Sequence, residues 1–176
     1  NRLAHFFRSA GVGDRIALML ENHPRWFEIC WAAQRSGLVY TAISSRLTAA
    51  EAAYIVNDCG AEAFVTSTAL AAQAAELAPL APKLRIRLML DGTQPGWDAY
   101  EAAVAPMPAE PVADEIAGGD MLYSSGTTGR PKGVYLPPES PDIDFANSLV
   151  RICAGPFGMG ADTVYLSPGP LYHAAP

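Results

Sequence analysis

The sequence predicts an α/β fold, a mainly parallel sheet flanked by helices. Apolar segments alternate between the two-residue period of strands and the longer period of helices. Several of the strand-like segments are apolar enough to be buried on both faces, as parallel strands are. Strands are predicted over residues 15–20, 39–43, 62–66, 84–90, 121–124 and 163–167.

Two of the helices predicted between these strands have an apolar face. The first covers residues 24–36, and its broad stripe is expected to pack in the core. The second covers residues 144–154, where a spacing of three or four places several apolar side chains on one side. The two faces are formed by Trp26, Phe27, Cys30 and Trp31, and by Ala146, Leu149, Val150 and Cys153.

Capping and helix-breaking residues mark other boundaries. Thr48 and Glu51 have the spacing of a capping box, and Gly60 follows where a C-terminal cap belongs. An alanine-rich helix over residues 69–78 is expected to stop at Pro79. Residues 105–115 are proline-rich and acidic, and we interpret them as a surface loop within one domain.

A loop rich in glycine and hydroxyl side chains follows the strand at 121–124. It reads YSSGTTGRPKG from Tyr123 to Gly133. Glycines at 126, 129 and 133 allow positive φ and let several N–H groups converge on one anion. Hydroxyls add donors, and a lysine supplies a full positive charge. We therefore predict a phosphate-binding loop whose contacts are Ser124, Ser125, Gly126, Thr127, Thr128, Gly129 and Lys132.

This loop differs from the P-loop of the classical NTPases, which has the pattern G-x-x-x-x-G-K-[ST] and leads into a helix. Here a proline precedes the lysine and a glycine follows it. Residues 134–136 predict a short strand, and prolines at 137 and 138 forbid a helix. The predicted arrangement is strand, loop, strand. The alternative is a surface turn with a solvated lysine, and Arg130 is itself interpreted as solvated.

From Met121 to Lys132 the chain resembles, at every position of the pattern, the phosphate loop of the adenylate-forming superfamily. That superfamily comprises acyl-CoA synthetases, luciferases and the adenylation domains of peptide synthetases. Residues 14–18, 37–40 and 47–51 resemble the opening of acyl-CoA synthetases, so the similarity covers nearly the whole chain. It implies that residues 1–176 are part of the large N-terminal AMP-binding domain, with the C-terminal domain absent.

A second resemblance lies in residues 163–176, TVYLSPGPLYHAAP. It is similar to the family's strand followed by Pro-Leu-(Phe/Tyr)-His. The resemblance implies that Tyr172 and His173 bind substrate, because in the family this pair lines the site where the acyl carboxylate meets ATP. Considered alone, a histidine at this position is more often a loop residue that bonds a backbone carbonyl.

The resemblance is strongest to fatty-acyl-CoA synthetases and implies their chemistry. A carboxylic acid, here expected to be a fatty acid, attacks the α-phosphate of Mg²⁺-ATP, and coenzyme A then displaces AMP from the acyl adenylate. Thr127 and Thr128 would bond the β- and γ-phosphates, and Lys132 would neutralise them. The family's magnesium-binding Glu and catalytic Lys lie further along in full-length members. No catalytic residue or metal ligand is therefore assigned, and the chain alone is expected to be inactive.

Two alternatives stay open at this point. One is a peptide-synthetase type of adenylation domain that loads a carrier protein, since it would share the same loop. The other is a nucleotide-binding module without catalysis, in which the loop persists for folding reasons. The family's amino-acid-binding Asp lies outside this chain, so the residues here do not separate the first alternative from a CoA ligase.

Composition limits the class of partner and compartment. The formal net charge of −6 argues against nucleic acid or an anionic membrane surface. No apolar run approaches the roughly 20 residues of a membrane span. The three cysteines are widely spaced, odd in number and form no C-x-x-C pair, which indicates a reducing, cytoplasmic compartment. Cys30, Cys59 and Cys153 each lie beside apolar residues, so we interpret them as small buried hydrophobic side chains. The three histidines are far apart in the sequence and predict no zinc site. We interpret His5 as a residue on a helix surface and His23 as a residue at the start of a helix. The oligomeric state, a homodimer included, stays open.

Overall fold

A seven-stranded sheet runs through the residues that the computed structural model describes, 1–124 and 129–173. In chain order its strands are β1 (Arg15–Met19), β2 (Val39–Ile43), β3 (Ala63–Ser67), β4 (Ile86–Leu90), β5 (Asp98–Ala99), β6 (Gly119–Ser124) and β7 (Lys132–Tyr135). They lie in the order β5-β4-β3-β1-β2-β6-β7. Strands β1 to β6 are parallel, and β7 is antiparallel to β6. The mainly parallel α/β prediction is confirmed.

Helices cover both faces of this sheet. In the described part of the chain they are α1 (Arg2–Ser9), α2 (Trp26–Arg35), α3 (Ala49–Cys59), α4 (Ala71–Leu77), α5 (Tyr100–Val104) and α6 (Ser148–Ala154). None of these helices combines the length and the apolar character that crossing a membrane requires. The capping box of α3 is confirmed, since Thr48 Oγ1 accepts from the Glu51 N–H at 3.3 Å and the Thr48 N–H donates to Glu51 Oε2 at 2.8 Å.

Strand β1 lies at the centre of the sheet and divides the core in two. Ile16 and Leu18 belong to the cluster formed with α1, α2 and α5, whereas Ala17 and Met19 belong to the cluster formed with α3 and α4. Successive side chains of a strand point to opposite faces, so one short segment supplies both cores. All four side chains are at most 1% exposed, which is the double burial expected of a parallel strand.

The helices that follow two adjacent strands lie on opposite faces of the sheet. Helix α2 follows β1 on one face, and α4 follows the neighbouring β3 on the other. In open α/β sheets such a reversal creates a crevice at the carboxyl ends of the strands, where ligands commonly bind. The loop that follows β1, residues 20–25, lies at this crevice.

The predicted strand over residues 163–167 is wrong. This segment has no regular structure, and Val164 and Leu166 are 98% and 84% exposed. A strand requires a neighbour that pairs with its N–H and C=O groups, and no strand of the described chain lies alongside it. Residues 163–167 therefore have the composition of a strand but lack a neighbouring strand with which to pair.

The aromatic stripe predicted on α2 is only half correct. Trp26 and Cys30 are buried, whereas Phe27 and Trp31 are 50% and 60% exposed. One residue corresponds to a rotation of about 100° around a helix, so the second pair is turned out of the core. The rings of Phe27 and Trp31 instead contact each other, with their centroids 5.8 Å apart.

Helix α6 begins later than predicted and is not part of the core. Asn147 caps it by accepting a hydrogen bond from the Val150 N–H at 3.0 Å, which leaves Ala146 ahead of the helix. Leu149 is 68% exposed, and no residue of α6 is buried. The burial predicted for Cys153 is therefore wrong, because this thiol is only half-buried.

The other two cysteines are buried as predicted. Cys30 faces the core from α2, and Cys59 ends α3 against the opposite core. Burial raises the pKa of the Cys30 thiol to about 12 and also raises the pKa of Cys59. Both thiols therefore stay protonated at neutral pH and behave as small hydrophobes.

Candidate functional site

The predicted phosphate loop joins two antiparallel strands at the edge of the sheet. Strand β6 leads into it and β7 leads out, which confirms the strand, loop, strand arrangement. Ser124 is paired with Lys132, so these two side chains start from opposite positions of the ladder, at the mouth of the loop. Both residues are exposed. The predicted contacts Ser125, Gly126, Thr127 and Thr128 lie outside the described residues.

Two glycines of this loop serve different purposes. Gly129 has φ 116°, in the region that favours glycine, as predicted. Gly133 does not have positive φ, so that part of the prediction is wrong. Its role is space, because an added Cβ would contact Met121 Cε and lie 2.9 Å from Tyr123 Cζ. The absence of a side chain at 133 lets the Tyr123 ring lie across β7.

Helix α3 holds both stems of the loop. On the incoming side, the Tyr123 hydroxyl donates to Asp58 Oδ2 at 2.5 Å. On the outgoing side, the Tyr54 hydroxyl donates to the Pro131 carbonyl at 3.3 Å. Burial, together with the Asp58 carboxylate, raises the pKa of Tyr123 above its ordinary value, so its hydroxyl stays a donor at neutral pH.

A cavity of about 480 Å³ lies between α3 and the outgoing stem. The Arg130 guanidinium covers the Tyr54 ring at 5.3 Å from its centroid, while its charge stays exposed. The cavity is lined by Leu47, Ala50, Glu51, Tyr54, Gly129, Arg130 and Pro131. Arg130 is thus exposed, as expected, but it is also packed on α3.

The Lys132 ammonium is available for an anion. Its residue is exposed, and no carboxylate of residues 1–124 or 129–173 forms an ion pair with it. Lys132 follows the Pro131 carbonyl that Tyr54 binds, so its backbone position is tied to α3. The arrangement can present one positive charge on a flexible side chain whose backbone position is fixed opposite Ser124.

Tyr172 and His173 lie in a separate part of the structure. Tyr172 is half-buried against the core that contains α1 and α2, and His173 is exposed with its ring centroid 4.6 Å from the Tyr172 ring. Met121 and Tyr123, in contrast, pack against the opposite core. Tyr123 therefore packs on the face of the sheet opposite to Tyr172, whereas Ser124 and its partner Lys132, offset by one residue, point to the face of Tyr172. Within the described residues, no hydrogen bond joins them.

A cluster of three polar side chains at the crevice was not predicted from the sequence. Glu21, His23 and Asp91 bring one potential ligand atom each within 4.8 Å of one another. The Arg25 N–H donates to His23 Nδ1 at 3.1 Å, so the neutral ring carries its proton on Nε2, 3.1 Å from Asp91 Oδ2. A metal binds imidazole through an unprotonated ring nitrogen. In this arrangement Nε2 carries the proton and Nδ1 accepts a hydrogen bond, so neither nitrogen has a lone pair available. The cluster is therefore better described as a hydrogen-bonded junction than as a metal centre.

Comparison with known proteins gives a match along the whole chain. A family model described as "AMP-binding enzyme" matches residues 1–176. The chain is 33% identical over 138 residues to the fatty acid–[acyl-carrier-protein] ligase ScoC of Streptomyces coeruleorubidus, covering 77% of this chain and 26% of that protein. It is 29% identical over 187 residues to the long-chain-fatty-acid–CoA ligase FadD13 of Mycobacterium tuberculosis, covering 99% and 34%. The chain thus spans about a quarter to a third of the length of these relatives.

A solved structure has the same fold. The anthranilate CoA ligase AuaEII, determined in complex with anthranoyl-AMP, aligns with a TM-score of 0.67 at 24% sequence identity. The alignment covers 76% of this chain and 27% of that one. At this level of identity the likeness concerns the fold, namely the mainly parallel sheet with helices on both faces.

Proposed function

The chain belongs to the AMP-binding enzyme family, and we propose that it carries the phosphate-binding and acid-binding parts of an ATP-dependent carboxylic acid–CoA ligase. The observation that carries the proposal is the mouth of the loop, where Ser124 and Lys132 face each other across the ladder between β6 and β7. An exposed lysine paired across the ladder with an exposed serine, close to a glycine with positive φ, suits a polyphosphate. The net charge of −6 means that such an anion must be held locally.

In the proposed reaction, a carboxylate oxygen bonds the α-phosphorus of ATP while pyrophosphate leaves, and the acyl adenylate is formed. The coenzyme A sulfur then bonds the acyl carbon, and AMP leaves. The first step joins two anions, so the protein must position them and neutralise charge. We assign charge neutralisation to Lys132, with Ser124 as a hydroxyl donor; Thr127 and Thr128 stay predicted donors. Mg²⁺ would accompany ATP, and no described residue is assigned as its ligand.

We propose a fatty acid as the substrate, because ScoC and FadD13 are both named as fatty acid ligases. The thiol acceptor is proposed to be coenzyme A, in a cytoplasmic protein. A second candidate is a carrier protein, favoured by the 33% identity to an acyl-carrier-protein ligase. Supplying coenzyme A and a phosphopantetheinylated carrier protein side by side would distinguish the two acceptors.

The proposal is tested by ATP–pyrophosphate exchange in the complete gene product. A panel of short, medium, long and aromatic carboxylic acids is supplied one at a time with Mg²⁺-ATP. Exchange that depends on one class of acid supports adenylation and identifies the substrate class. ATP binding without exchange for any acid would instead favour a nucleotide-binding module without catalysis.

Replacing His173 by Ala is expected to change the preference among acids and leave ATP affinity within about twofold. The side chain is exposed beside Tyr172, and within the described chain only its backbone N–H forms a hydrogen bond, to the Pro170 carbonyl at 3.1 Å. Truncation therefore removes a surface that an acyl group would contact and leaves the loop turn intact. ATP affinity, melting temperature and exchange rates on short and long acids are measured together. A uniform loss across acids with a lowered melting temperature would make His173 part of the scaffold.

Expressed by itself, the 176-residue chain is proposed to form no acyl thioester. The family's magnesium-binding Glu and catalytic Lys are not among the motifs that this chain matches. Purified chain and complete gene product are compared for acyl-CoA formation with the acid that supports exchange. Thioester formation by the isolated chain at a comparable rate would contradict this proposal.

A further inference from the structure

One side-chain amide connects the crevice to the segment that carries Tyr172 and His173. Asn22, just after β1, donates from Nδ2 to the Gly169 carbonyl at 3.2 Å. Its Oδ1 accepts from the Leu171 N–H at 2.9 Å. The donor and the acceptor of one amide thus bind complementary backbone groups two residues apart, in a segment almost 150 positions further along the chain. The amides of Asn and Gln carry a donor and an acceptor on the same carbon atom, which suits two backbone groups this close together.

Asn22 can serve as a fixed point because its neighbours are themselves anchored. Ser67 Oγ, at the end of β3, donates to Glu21 Oε2 at 2.7 Å. On the other side, His23 bonds Asp91, which follows β4, at 3.1 Å. The loop after β1 is therefore hydrogen-bonded to the ends of two other strands, and Asn22 lies between the two anchored residues.

The bound segment has little other support on its polar side. Leu171 and Tyr172 pack against the core, and the His173 N–H closes a turn on the Pro170 carbonyl at 3.1 Å. Apolar packing is not directional, so it does not by itself fix the rotation of a short turn. The two hydrogen bonds of Asn22 are directional and act on the residues immediately before the aromatic and the histidine.

We propose that Asn22 is a positioning residue for the carboxylic acid substrate, acting by holding residues 169–173 so that Tyr172 and His173 face the acid. This role rests on the proposed function. Asn22 itself is assigned no contact with substrate. Its removal affects the acid and spares ATP, because the phosphate loop is held by α3 on the other face of the sheet.

The test compares Asn22→Leu and Asn22→Asp in the complete gene product. Leucine keeps the approximate volume and loses both bonds, whereas aspartate keeps an acceptor for the Leu171 N–H and loses the donor to Gly169. An exposed hydrogen bond between neutral groups contributes about 0.5 kcal/mol to stability, so the loss of two changes the population of the correctly held segment by about fivefold. We expect the KM for the acid to rise about fivefold in Asn22→Leu and less in Asn22→Asp, with the KM for ATP unchanged.

Asn57→Leu is the matched control. Asn57 also donates an amide hydrogen bond to a distant carbonyl, that of Leu80 at 2.8 Å, but it lies on α3 away from residues 169–173. It should leave both KM values unchanged. Amide hydrogen exchange, followed on a peptide that covers residues 169–173, measures directly how firmly Asn22 holds this segment. The exchange rate should increase only in the Asn22 variants.

The outcomes separate this role from the proposed function. If the wild-type protein shows no acid-dependent exchange, the proposed function fails and the Asn22 role fails with it. If the wild type is active and Asn22→Leu leaves the acid KM unchanged, only the Asn22 role is overturned. A rise in both KM values with a lower melting temperature would also overturn it, since that result describes a general structural contact.

Discussion

Replacing Lys132 by Ala is expected to slow adenylation about tenfold to a hundredfold in a protein that still folds. The lysine is exposed and pairs across the ladder with Ser124, so its ammonium can meet the phosphates. A hydrogen bond to a charged group contributes about 1.5–3 kcal/mol, which corresponds to that range of rates. ATP–pyrophosphate exchange at saturating acid measures the loss.

The chain contains a natural control for this experiment. Its other lysine, Lys83, is also exposed and lies in the turn before β4. Lys83→Ala removes the same charge from the protein without touching the loop, so it corrects for any effect of net charge. Equal exchange in folded Lys132→Ala and Lys83→Ala would show that Lys132 is only solvated.

Replacing Gly118 by Ala is expected to lower the free energy of unfolding by about 3 kcal/mol, the upper end for overpacking. An added Cβ would collide with the Leu38 carbonyl oxygen and lie 2.8 Å from the Leu38 nitrogen. These are backbone atoms, so no rotamer change relieves the contact. The Gly118 N–H also donates to the Gln34 carbonyl at 2.7 Å, which holds the glycine in place. Urea unfolding gives the change directly.

Gly160→Ala is the matched control, because an added Cβ there has no atom within 4 Å. Its stability should stay within about 0.5 kcal/mol of the wild type, as for most surface substitutions. Since Gly118 immediately precedes β6, its replacement should also displace the incoming stem of the loop. Equal unfolding free energies for the two variants would show that β6 can move away from β2 at little cost.

The strands and the α3 caps were predictable because their signals are local. Residues 39–43 were predicted with the observed bounds, and strands β1, β3, β4 and β6 agree within two residues. Consecutive apolar residues bounded by turn formers identify a buried strand without knowledge of its neighbours. In the same way, the Thr48 to Glu51 spacing and Gly60 specify the ends of a helix from its own residues.

Burial was harder to predict where it depends on a partner. Phe27 and Trp31 have the character of core residues, yet the helix turns them outward. Residues 163–167 have strand character, yet no described strand pairs with them. Periodicity describes which conformations a segment tolerates. Whether another element covers that segment is decided by the fold.

The candidate site shows the same division. The loop residues Ser124, Gly129 and Lys132 form one contiguous motif, so a pattern could identify them. Asn22 and Asp58 carry no such signal, because their partners are Gly169, Leu171 and Tyr123. An asparagine in a loop and an aspartate on an exposed helix face are common in proteins, and only the folded chain brings them to the segments that they hold.

The double burial of β1 has a consequence for how this sheet assembles. A strand with one polar face resists slippage, because a shift by one residue would bury its polar side chains. In β1 a shift would merely exchange Ile16 and Leu18 with Ala17 and Met19, all of them apolar. Misaligned pairing with β2 is thus opposed by differences in side-chain volume rather than by polarity. We therefore expect completion of the core by the helices on both faces, rather than strand pairing alone, to select the native register of β1.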